Sequence, residues 1–449
     1  MRQFAFARLQ MCPAEEIAAR SRHGEFYLTM LARYGPLLKS ARQKEALADL
    51  RAEIDNIRAA WQWAVSGRNL AQITAAANAL MWFYERRNGY QEGETAFAEA
   101  VAMLEMVDKA GDEEDCQLVA LAFGQTLVGQ ALFRFRQGHY PQALELLEKG
   151  VASLQTVNVT PEAHMALADA FFFLGTVHSM SGHYVRARSN LHHALELSEA
   201  VHYELIQGDS LAILAIQAQA QGETLTALEL FKQAVKILRA AGDPTATAWA
   251  LSYYSAAAHA AGDSAQAVRL AQESLQLSQD NDNRWAVGLA LYHLGLIHYG
   301  RGENVEAESY LQGSVTIFRE MGDCSNLGHV LKDLGRVTYK LGQANAAERY
   351  LLEALQMTLE AGAAPIALDA IINLAVLQHQ RGQPELALAW ACYIQQQRAA
   401  AQETKSLAGQ LLAELQNEFT SSQLAAVQAS AQTQTLEIVA REILERFYQ

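Results

Sequence analysis

The chain is poor in the residues from which metal sites, disulfide frameworks and nucleotide pockets are usually built. Only four of its 449 residues are cysteine, and they are scattered without a CxxC pair, which argues against a disulfide framework and a zinc site. None of the 13 histidines has another four residues away, so the two-histidine face of a helical zinc site is missing. A Gly-Lys pair is also missing, which excludes a phosphate-binding loop and nucleotide hydrolysis by this chain. We therefore expect neither catalysis nor a metal or other cofactor.

Long apolar runs and an excess of positive charge are lacking as well. No unbroken apolar run approaches about 18 residues, and Met1 is not followed by the basic start and apolar core of a signal peptide. Residues 1–110 carry 14 Lys and Arg against 13 Asp and Glu, whereas residues 111–449 carry 21 against 36. An acidic surface repels phosphate backbones. We therefore expect a cytoplasmic protein that binds neither membranes nor nucleic acid.

What the sequence does contain is a repeat marked by seven glycines, whose last five spacings are each 40 residues. These repeat glycines are Gly138, Gly182, Gly222, Gly262, Gly302, Gly342 and Gly382. Five residues after each stands an alanine, at Ala143, Ala187, Ala227, Ala267, Ala307, Ala347 and Ala387. Seven residues before each stands a small residue, at Ala131, Gly175, Ala215, Ser255, Gly295, Gly335 and Ala375. A chain that repeats one helical unit this regularly is a solenoid, because a single unit cannot bury its own apolar face.

Between the repeat glycines, apolar residues recur every three or four positions, which predicts helices and no strands. Each repeat glycine should end the first helix of a unit, since glycine reaches left-handed backbone angles at little cost. A second set of breaks lies halfway between the glycines, and Asp243 and Asp323 in these breaks are positioned as helix caps. The small residues let two antiparallel helices approach closely, with Gly335 facing Ala347, for example.

These residues resemble the tetratricopeptide repeat over roughly residues 115–398. Two units carry the pattern most clearly: Leu294-Gly295, Gly302, Ala307 and Leu311, then Leu334-Gly335, Gly342, Ala347, Leu351 and Ala354. The unit is longer than the usual length of about 34 residues, and the aromatic residue usual four positions before the turn glycine is missing. The longer unit implies longer helices, as in the extended repeats of bacterial signalling regulators. The resemblance implies an all-α, right-handed superhelical solenoid with seven units in residues 111–398.

Both ends of the chain depart from this pattern. Trp82-Phe83-Tyr84 and then Gly89-Tyr90 look like a degenerate unit, with Trp82 in the place of the small residue. Further upstream, residues 53–64 resemble a stretch of STAND regulators (signal transduction ATPases with numerous domains) that joins the winged-helix part of the switch to a repeat array. The resemblance implies a connector in residues 1–110, whose first 12 residues end a winged-helix part. Residues 399–449 lose the glycines and show three short helical patterns, which predict a polar C-terminal cap.

In tetratricopeptide arrays the first helix of each unit lines a concave groove, so a ligand meets the free face of that helix. Positions 13, 10, 9, 6 and 3 before each repeat glycine identify these faces. The first helix that ends at Gly222 offers a nearly featureless face, whereas the first helices of later units offer aromatic and basic residues. The candidate ligand-binding residues are Trp249, Tyr253, Tyr292, His293, Tyr299, His329, Lys332, Arg336, Tyr339 and Asn373. Packing between repeats is the alternative role for the aromatic ones, although Tyr and Trp are also the usual anchors of binding sites.

Lys332, Arg336 and Lys340 follow one another at four-residue spacing on one helix of an otherwise acidic array. Like charges at this spacing destabilise a helix by a few tenths of a kcal/mol, so something should offset them. In one interpretation, acids such as Asp333 on this and adjacent helices pair with them at the surface. In the other, Lys332 and Arg336 bind a carboxylate or phosphate of a ligand while Asn373 hydrogen-bonds a peptide backbone.

The predicted function is therefore binding without catalysis. The STAND resemblance implies the sensor portion of a bacterial regulator that lacks its ATPase module, or a relative that has lost it. Such a sensor binds an inducer, which is a protein, a peptide or a small molecule, and relieves the autoinhibition of the ATPase and winged-helix module of the parent protein. The alternative is a free-standing adaptor that assembles proteins on its groove, because the same repeat supports both functions.

Overall fold

The computed structural model describes residues 13–107 and 112–447, and within these ranges the chain forms 22 α-helices, one short 3-10 helix and no strand. The N-terminal helices are α1 (Pro13–Tyr34), the 3-10 helix (Leu37–Lys39), α2 (Gln43–Ala52), α3 (Ile54–Ser66), α4 (Leu70–Arg86) and α5 (Tyr90–Glu105). The next eight are α6 (Glu113–Arg136), α7 (Tyr140–Leu154), α8 (Pro161–Met180), α9 (Tyr184–Ala200), α10 (Glu204–Ala220), α11 (Thr224–Ala241), α12 (Pro244–Ala260) and α13 (Ser264–Asp280). The last nine are α14 (Arg284–Gly300), α15 (Asn304–Met321), α16 (Cys324–Lys340), α17 (Ala344–Ala361), α18 (Ala364–Gln380), α19 (Pro384–Gln395), α20 (Gln402–Leu415), α21 (Ser421–Ala431) and α22 (Leu436–Phe447). Residues 1–12, where the sequence suggested the end of a winged-helix part, lie outside the described residues.

The all-helical repeat fold expected from the sequence is confirmed, with a pair of helices for every repeat glycine. All seven repeat glycines have positive φ angles, between 75° and 86°. A side chain at such an angle would be strained, so glycine is favoured where one helix must stop and the next must start within three residues. The regular spacing of the glycines therefore sets the regular length of the helices.

Five of the six breaks halfway between the repeat glycines also use left-handed residues, the exception being the break between α7 and α8. Three of these residues are glycines and two are not: Gly242, Gly322, Gly362, His202 and Asp282. The caps expected at Asp243 and Asp323 are present, because each carboxylate accepts a hydrogen bond from the backbone N–H three residues on, at 2.9 and 3.0 Å. These five breaks therefore separate two units within two or three residues.

One unit, formed by α4 and α5, precedes the seven that the repeat glycines mark, and its register differs by one residue from the expected one. The sequence suggested Gly89 as its turn residue, but Asn88 is the left-handed residue, at φ 59°, and Gly89 has φ −87°. Asparagine tolerates this conformation better than most side chains. The position seven residues before the turn is therefore Met81 rather than Trp82, and the small residue five positions after it is Gly93.

Small residues let the two helices of a unit touch, as predicted. A methyl group added at Gly335 would lie 2.7 Å from Leu351 Cγ and 3.2 Å from the carbonyl oxygen of Ala347. Gly295 has the same surroundings in the preceding unit, with Leu311 at 2.8 Å. These positions leave no space for a side chain, so the close approach of the helices depends on them.

The first helix of each unit faces inwards and the second faces solvent. In α12, most residues around the helix are buried, whereas in α13 the buried residues form one stripe, Ala267, Ala271, Ser274 and Ser278. A stripe at this spacing is typical of a helix that packs on one side only. The first helices therefore line the concave interior of the solenoid.

The superhelix is wound so tightly that residues far apart in the sequence touch. The Tyr140 hydroxyl lies 2.6 Å from Ser325 Oγ, 185 positions along the chain. Arg86 donates a hydrogen bond to Asp243 at 2.7 Å, 157 positions along the chain. The concave side is consequently an enclosed interior instead of an open groove.

The C-terminal helices complete this enclosure. α20 and α21 pack on α19, and α22 packs on α17 and α18. The segment before α20 approaches the interior, where the Tyr184 hydroxyl donates to the carbonyl oxygen of Ala399 at 3.4 Å. Side chains at the start of α20 therefore reach the first helices of the last units.

One helix of the described residues, α6, is long and apolar enough to cross a membrane by length and composition alone. It packs against α4, α5, α7 and α8 within the array. In its most apolar window, 56% of the residues are buried inside the fold. Its apolar character therefore fits its position as an inner helix of the solenoid.

Candidate ligand-binding site

Two adjoining cavities lie inside the superhelix, between the first helices of the units. The inner chamber has a volume of about 100 Å³ and the groove cavity a volume of about 260 Å³. The candidates Trp249, Tyr253 and His329 line the inner chamber, and Tyr253, Tyr292, His293, His329 and Lys332 line the groove cavity. Since Tyr253 and His329 belong to both, the two cavities meet at these side chains.

The other four candidate residues lie outside both cavities. Tyr299 packs beneath the Arg336 guanidinium, which lies 5.3 Å from the centre of its ring. Asn373 donates one hydrogen bond at 2.6 Å to the backbone oxygen of Asp369 in its own helix. Tyr339 is half-buried, and its hydroxyl has no hydrogen-bond partner in the described part of the chain.

The aromatic candidates in the groove cavity surround a buried histidine. The rings of Tyr253 and Tyr292 lie 4.7 and 4.9 Å from the ring of His293. Burial lowers the pKa of His293 to about 3, because a charged imidazole would lose its hydration there. The Tyr292 hydroxyl donates to Asp333 at 2.8 Å. These rings therefore pack between repeats and also form the wall of the cavity.

Two of the three basic residues of the cluster, Lys332 and Arg336, are paired with acids. Lys332 Nζ lies 3.2 Å from a carboxylate oxygen of Asp333 and 3.2 Å from one of Asp369. Burial alone would lower the pKa of Lys332, but these two carboxylates outweigh burial and raise it. Lys332 is therefore a charged lysine paired with two acids, inside the fold and not at the surface as the first interpretation supposed.

Arg336 is also paired, and one of its partners comes from the C-terminal region. Its guanidinium contacts Asp333 at 3.0 Å and Glu403, at the start of α20, at 3.2 Å. The Glu403 side chain is 79% exposed, so this contact lies at the solvent edge of the groove cavity. Lys340 is exposed and forms no ion pair within residues 13–107 and 112–447. A carboxylate thus occupies the position that the sequence assigned to an anionic ligand.

Two buried polar side chains of the groove cavity lack hydrogen-bond partners. Both ring nitrogens of His293 and both amide atoms of Gln217 are unpaired within the described residues. His293 is 2% exposed and Gln217 is 1% exposed. A buried donor or acceptor without a partner costs about 1–3 kcal/mol. Because both residues line the cavity, a water molecule or a ligand inside it could pair with these atoms.

The inner chamber contains a second set of buried charges. Glu85 accepts hydrogen bonds from Arg86 at 3.3 Å and from Arg136 at 2.5 Å. Asp209 Oδ1 has no partner among the residues described, and burial raises the pKa of Asp209 well above its usual range even though Arg86 opposes this effect. Aromatic rings enclose the set, with Arg136 lying 5.2 Å from the centre of the Trp285 ring.

Several of these lining residues were missed in the sequence. Asp209 and Gln217 belong to α10, the helix that ends before Gly222, whose face was predicted to be nearly featureless. Arg86 and Arg136 stand two residues before a turn residue, Asn88 and Gly138 respectively. Their shared position before a turn residue could have identified them. For Arg86, however, this position is recognised only once Asn88 is known to be the turn residue of its unit.

The part of the chain that the structure describes contains no cluster of three or more His, Cys, Asp or Glu suited to a metal ion.

Comparison with known families identifies the repeat. One model, described as a tetratricopeptide repeat, matches residues 209–280 and 287–360, and a second with the same description matches residues 124–149 and 371–403. The chain contains tetratricopeptide repeats. The matched tetratricopeptide segments cover most of α10 to α18, which supply most of the side chains of the groove cavity. No curated protein matches the sequence.

Solved structures share the fold at low sequence identity. A Rap protein complexed with competence and sporulation factor is 15% identical with a TM-score of 0.58, and the match covers 84% of this chain and 99% of that one. A STAND protein with a tetratricopeptide repeat sensor from Pyrococcus horikoshii is 13% identical with a TM-score of 0.43, over 92% of this chain and 55% of that one. The likeness to the Rap protein concerns the tetratricopeptide fold alone.

Proposed function

We propose that this chain is the ligand-sensing part of a STAND-type signalling regulator in the bacterial cytoplasm and is not an enzyme. Its ligand is an inducer, a protein segment, peptide or small molecule, that enters the groove cavity. The observation that carries the proposal is the pair of buried, unpartnered side chains His293 and Gln217 on the cavity wall. Each offers a hydrogen-bond donor and an acceptor, which is the complement of an amide group.

The ligand acts by shifting an equilibrium between two states. A ligand favours a state only by the difference in its affinity for the two, so the inducer must bind better when the cavity is accessible. Glu403 is the contact to displace, because its carboxylate lies on Arg336 at the solvent edge of the cavity. An inducer carboxylate in the same place would keep Arg336 paired and would free the start of α20. That movement is the signal passed to the ATPase and winged-helix module of the parent protein.

A test of the groove compares Gln217→Leu with Gln356→Leu. The side-chain amide of Gln217 makes no hydrogen bond within residues 13–107 and 112–447, so replacement by leucine removes this amide at little cost in stability. Gln356 is exposed on an outer helix and serves as the matched control. The protein is incubated with a synthetic mixture of tri- to pentapeptides, and the retained peptides are measured by mass spectrometry after size exclusion. We expect retention by the wild type and Gln356→Leu and loss by Gln217→Leu; equal retention by all three rules out this site.

A free-standing adaptor is the second candidate. The observation that favours it is a set of exposed apolar side chains, Val185, Leu225 and Val305, each three residues after a repeat glycine on the outside of the solenoid. Exposed apolar surface of this kind is used in contacts between proteins. The two functions differ in the parent gene, since a sensor requires an ATPase and winged-helix region upstream of this chain. An open reading frame without that region, together with a partner bound in the absence of nucleotide, would favour the adaptor.

A further inference from the structure

A third cavity lies apart from the groove cavity and the inner chamber. It is a cleft of about 400 Å³ between α4, α6 and α8, and none of its lining residues belongs to the other two cavities. Its walls are mainly apolar and include Ala75, Leu118, Val128 and Met165. A cavity of this volume with apolar walls is in the range of small-molecule binding sites.

The inner end of the cleft is closed by a polar network that is already satisfied. Asp169 accepts hydrogen bonds from Asn78 at 2.8 Å and from the Tyr203 hydroxyl at 3.2 Å. Lys39, which reaches in from the 3-10 helix, donates to Asn78 at 3.1 Å and to Tyr203 at 3.3 Å. The positive and negative groups are thus bridged by two neutral side chains, and no charge of this network needs a ligand.

The surroundings of this network disfavour charge. Burial lowers the pKa of Lys39 to about 8 and raises the pKa of Asp169 to about 7, so each group is driven towards its neutral form. The charged head of a ligand placed beside them would meet the same penalty. Glu162 at the rim adds a negative charge that repels anions. The cleft therefore suits a neutral molecule.

Two polar side chains of the cleft are free to recognise such a molecule. Thr74 Oγ1 and Gln125 Oε1 are enclosed, and neither has a hydrogen-bond partner in the portion of the chain described. They lie on α4 and α6, on neighbouring walls of the cleft. A hydroxyl and an amide together can bind one group that both donates and accepts a hydrogen bond. Unpaired buried groups in an otherwise apolar cavity give a ligand its orientation.

We propose that the cleft between α4, α6 and α8 binds a small, neutral, mainly apolar molecule through a single amide or hydroxyl head group held by Thr74 and Gln125. This binding is independent of the inducer in the groove cavity. A primary alkyl amide fits the requirement, since its carbonyl accepts from Thr74 and its NH₂ donates to Gln125. Its alkyl chain then lies against the leucine, valine and methionine side chains of the walls, where Met165 can adapt to its shape.

The first experiment uses the neutral fluorophore N-phenyl-1-naphthylamine, whose emission rises in an apolar site, and measures its displacement by octanamide, octanoate and octylamine. We expect saturable binding and displacement by octanamide at concentrations at least about tenfold lower than for the two charged competitors. Ala75→Phe should abolish the signal because it fills the cleft from an exposed position, whereas Ala265→Phe, exposed on α13, should not change it. Equal signals from the two variants, or equal displacement by octanoate, would overturn the proposal.

A second set of variants tests the head group. Thr74→Val and Gln125→Leu keep the apolar volume, so we expect each to bind the fluorophore and to bind octanamide about three- to tenfold more weakly. Unchanged octanamide affinity in both would contradict the assigned contacts. Gln217→Leu should bind the fluorophore as the wild type does, and a loss there would place the fluorophore in the groove cavity and refute the proposal.

Discussion

His293 gives the most direct test of the interior of the solenoid. Its ring lies between Tyr253 and Tyr292, is 2% exposed and has no hydrogen-bond partner in the described ranges. Burial holds its pKa at about 3, with His329 lowering it further and Asp333 opposing, whereas the ordinary value is 6.5. The unfolded chain therefore binds a proton on this residue at a higher pH than the folded chain does. The contribution of the neutral His293 to the free energy of unfolding is therefore fully present above pH 6.5 and is lost as the pH falls towards 3.

The size of this loss follows from the two pKa values. Each pH unit between them costs about 1.4 kcal/mol, so moving from about pH 7 to about pH 4.5 removes about 2–3 kcal/mol. Over the same pH range, the free energy of unfolding of His293→Phe should fall by about 2–3 kcal/mol less than that of the wild type, because phenylalanine cannot take up a proton. At neutral pH the variant should be at least as stable as the wild type, since two unpaired nitrogens are replaced by carbon.

The assay is urea unfolding followed by circular dichroism at the two pH values. His192→Phe, at an exposed position on α9, is the matched control and should lose as much stability as the wild type. The comparison between variants removes the contribution of the acids that also titrate in this range. If the wild type and His293→Phe lose the same stability on acidification, then His293 is not a buried neutral histidine. The conclusion that the solenoid encloses its concave side would then be wrong.

Two further predictions concern packing and buried charge, and thermal unfolding measures both. Gly335→Ala gains about 1 kcal/mol in helix propensity, but its methyl group would lie 2.7 Å from Leu351, which costs about 1–3 kcal/mol. It should lower the melting temperature, whereas Gly313→Ala, whose methyl group would make an ordinary contact at 3.4 Å, should raise it. Lys332→Ala should destabilise by about 3 kcal/mol because it leaves its carboxylate partners with less positive charge inside the fold, while Lys340→Ala should change stability by less than about 0.5 kcal/mol. A stabilised Gly335→Ala, or equal effects of the two lysine variants, would contradict these assignments.

The sequence predicted the helices well because their ends are set by local geometry. A repeat glycine specifies a left-handed turn wherever it stands, so the seven pairs of helices could be placed from spacing alone. The prediction was off by one residue where Asn88 replaced glycine, since asparagine takes the same conformation without the same signal in the sequence. His202 and Asp282 are left-handed too; Asp and His adopt this conformation more often than most side chains, but they signal it less strongly than glycine does.

The candidate site was predicted only in part because much of it depends on contacts across the superhelix. Counting from the repeat glycines identified Tyr253 and His293 as inward-facing, since the direction of a side chain on a helix is local. Whether Arg136 and Glu403 contribute to the site depends on the total rotation of the superhelix, which decides which distant units come into contact. That angle is the sum of many small rotations between neighbouring units, and no single residue specifies it.

The contact between Tyr140 and Ser325 has a consequence for how the protein folds and unfolds. In an open solenoid each unit touches only its neighbours, so stability is a sum of local terms and the ends can unravel first. Here the unit of α6 and α7 is held through Tyr140 by a residue 185 positions further along the chain, and the unit of α4 and α5 is held through the bond from Arg86 to Asp243. These distant pairings close only after the units between them have formed, which raises the contact order and slows folding. Once closed, they join early and late units into one cooperative structure, so the first unit should exchange its amide hydrogens as slowly as the middle of the array.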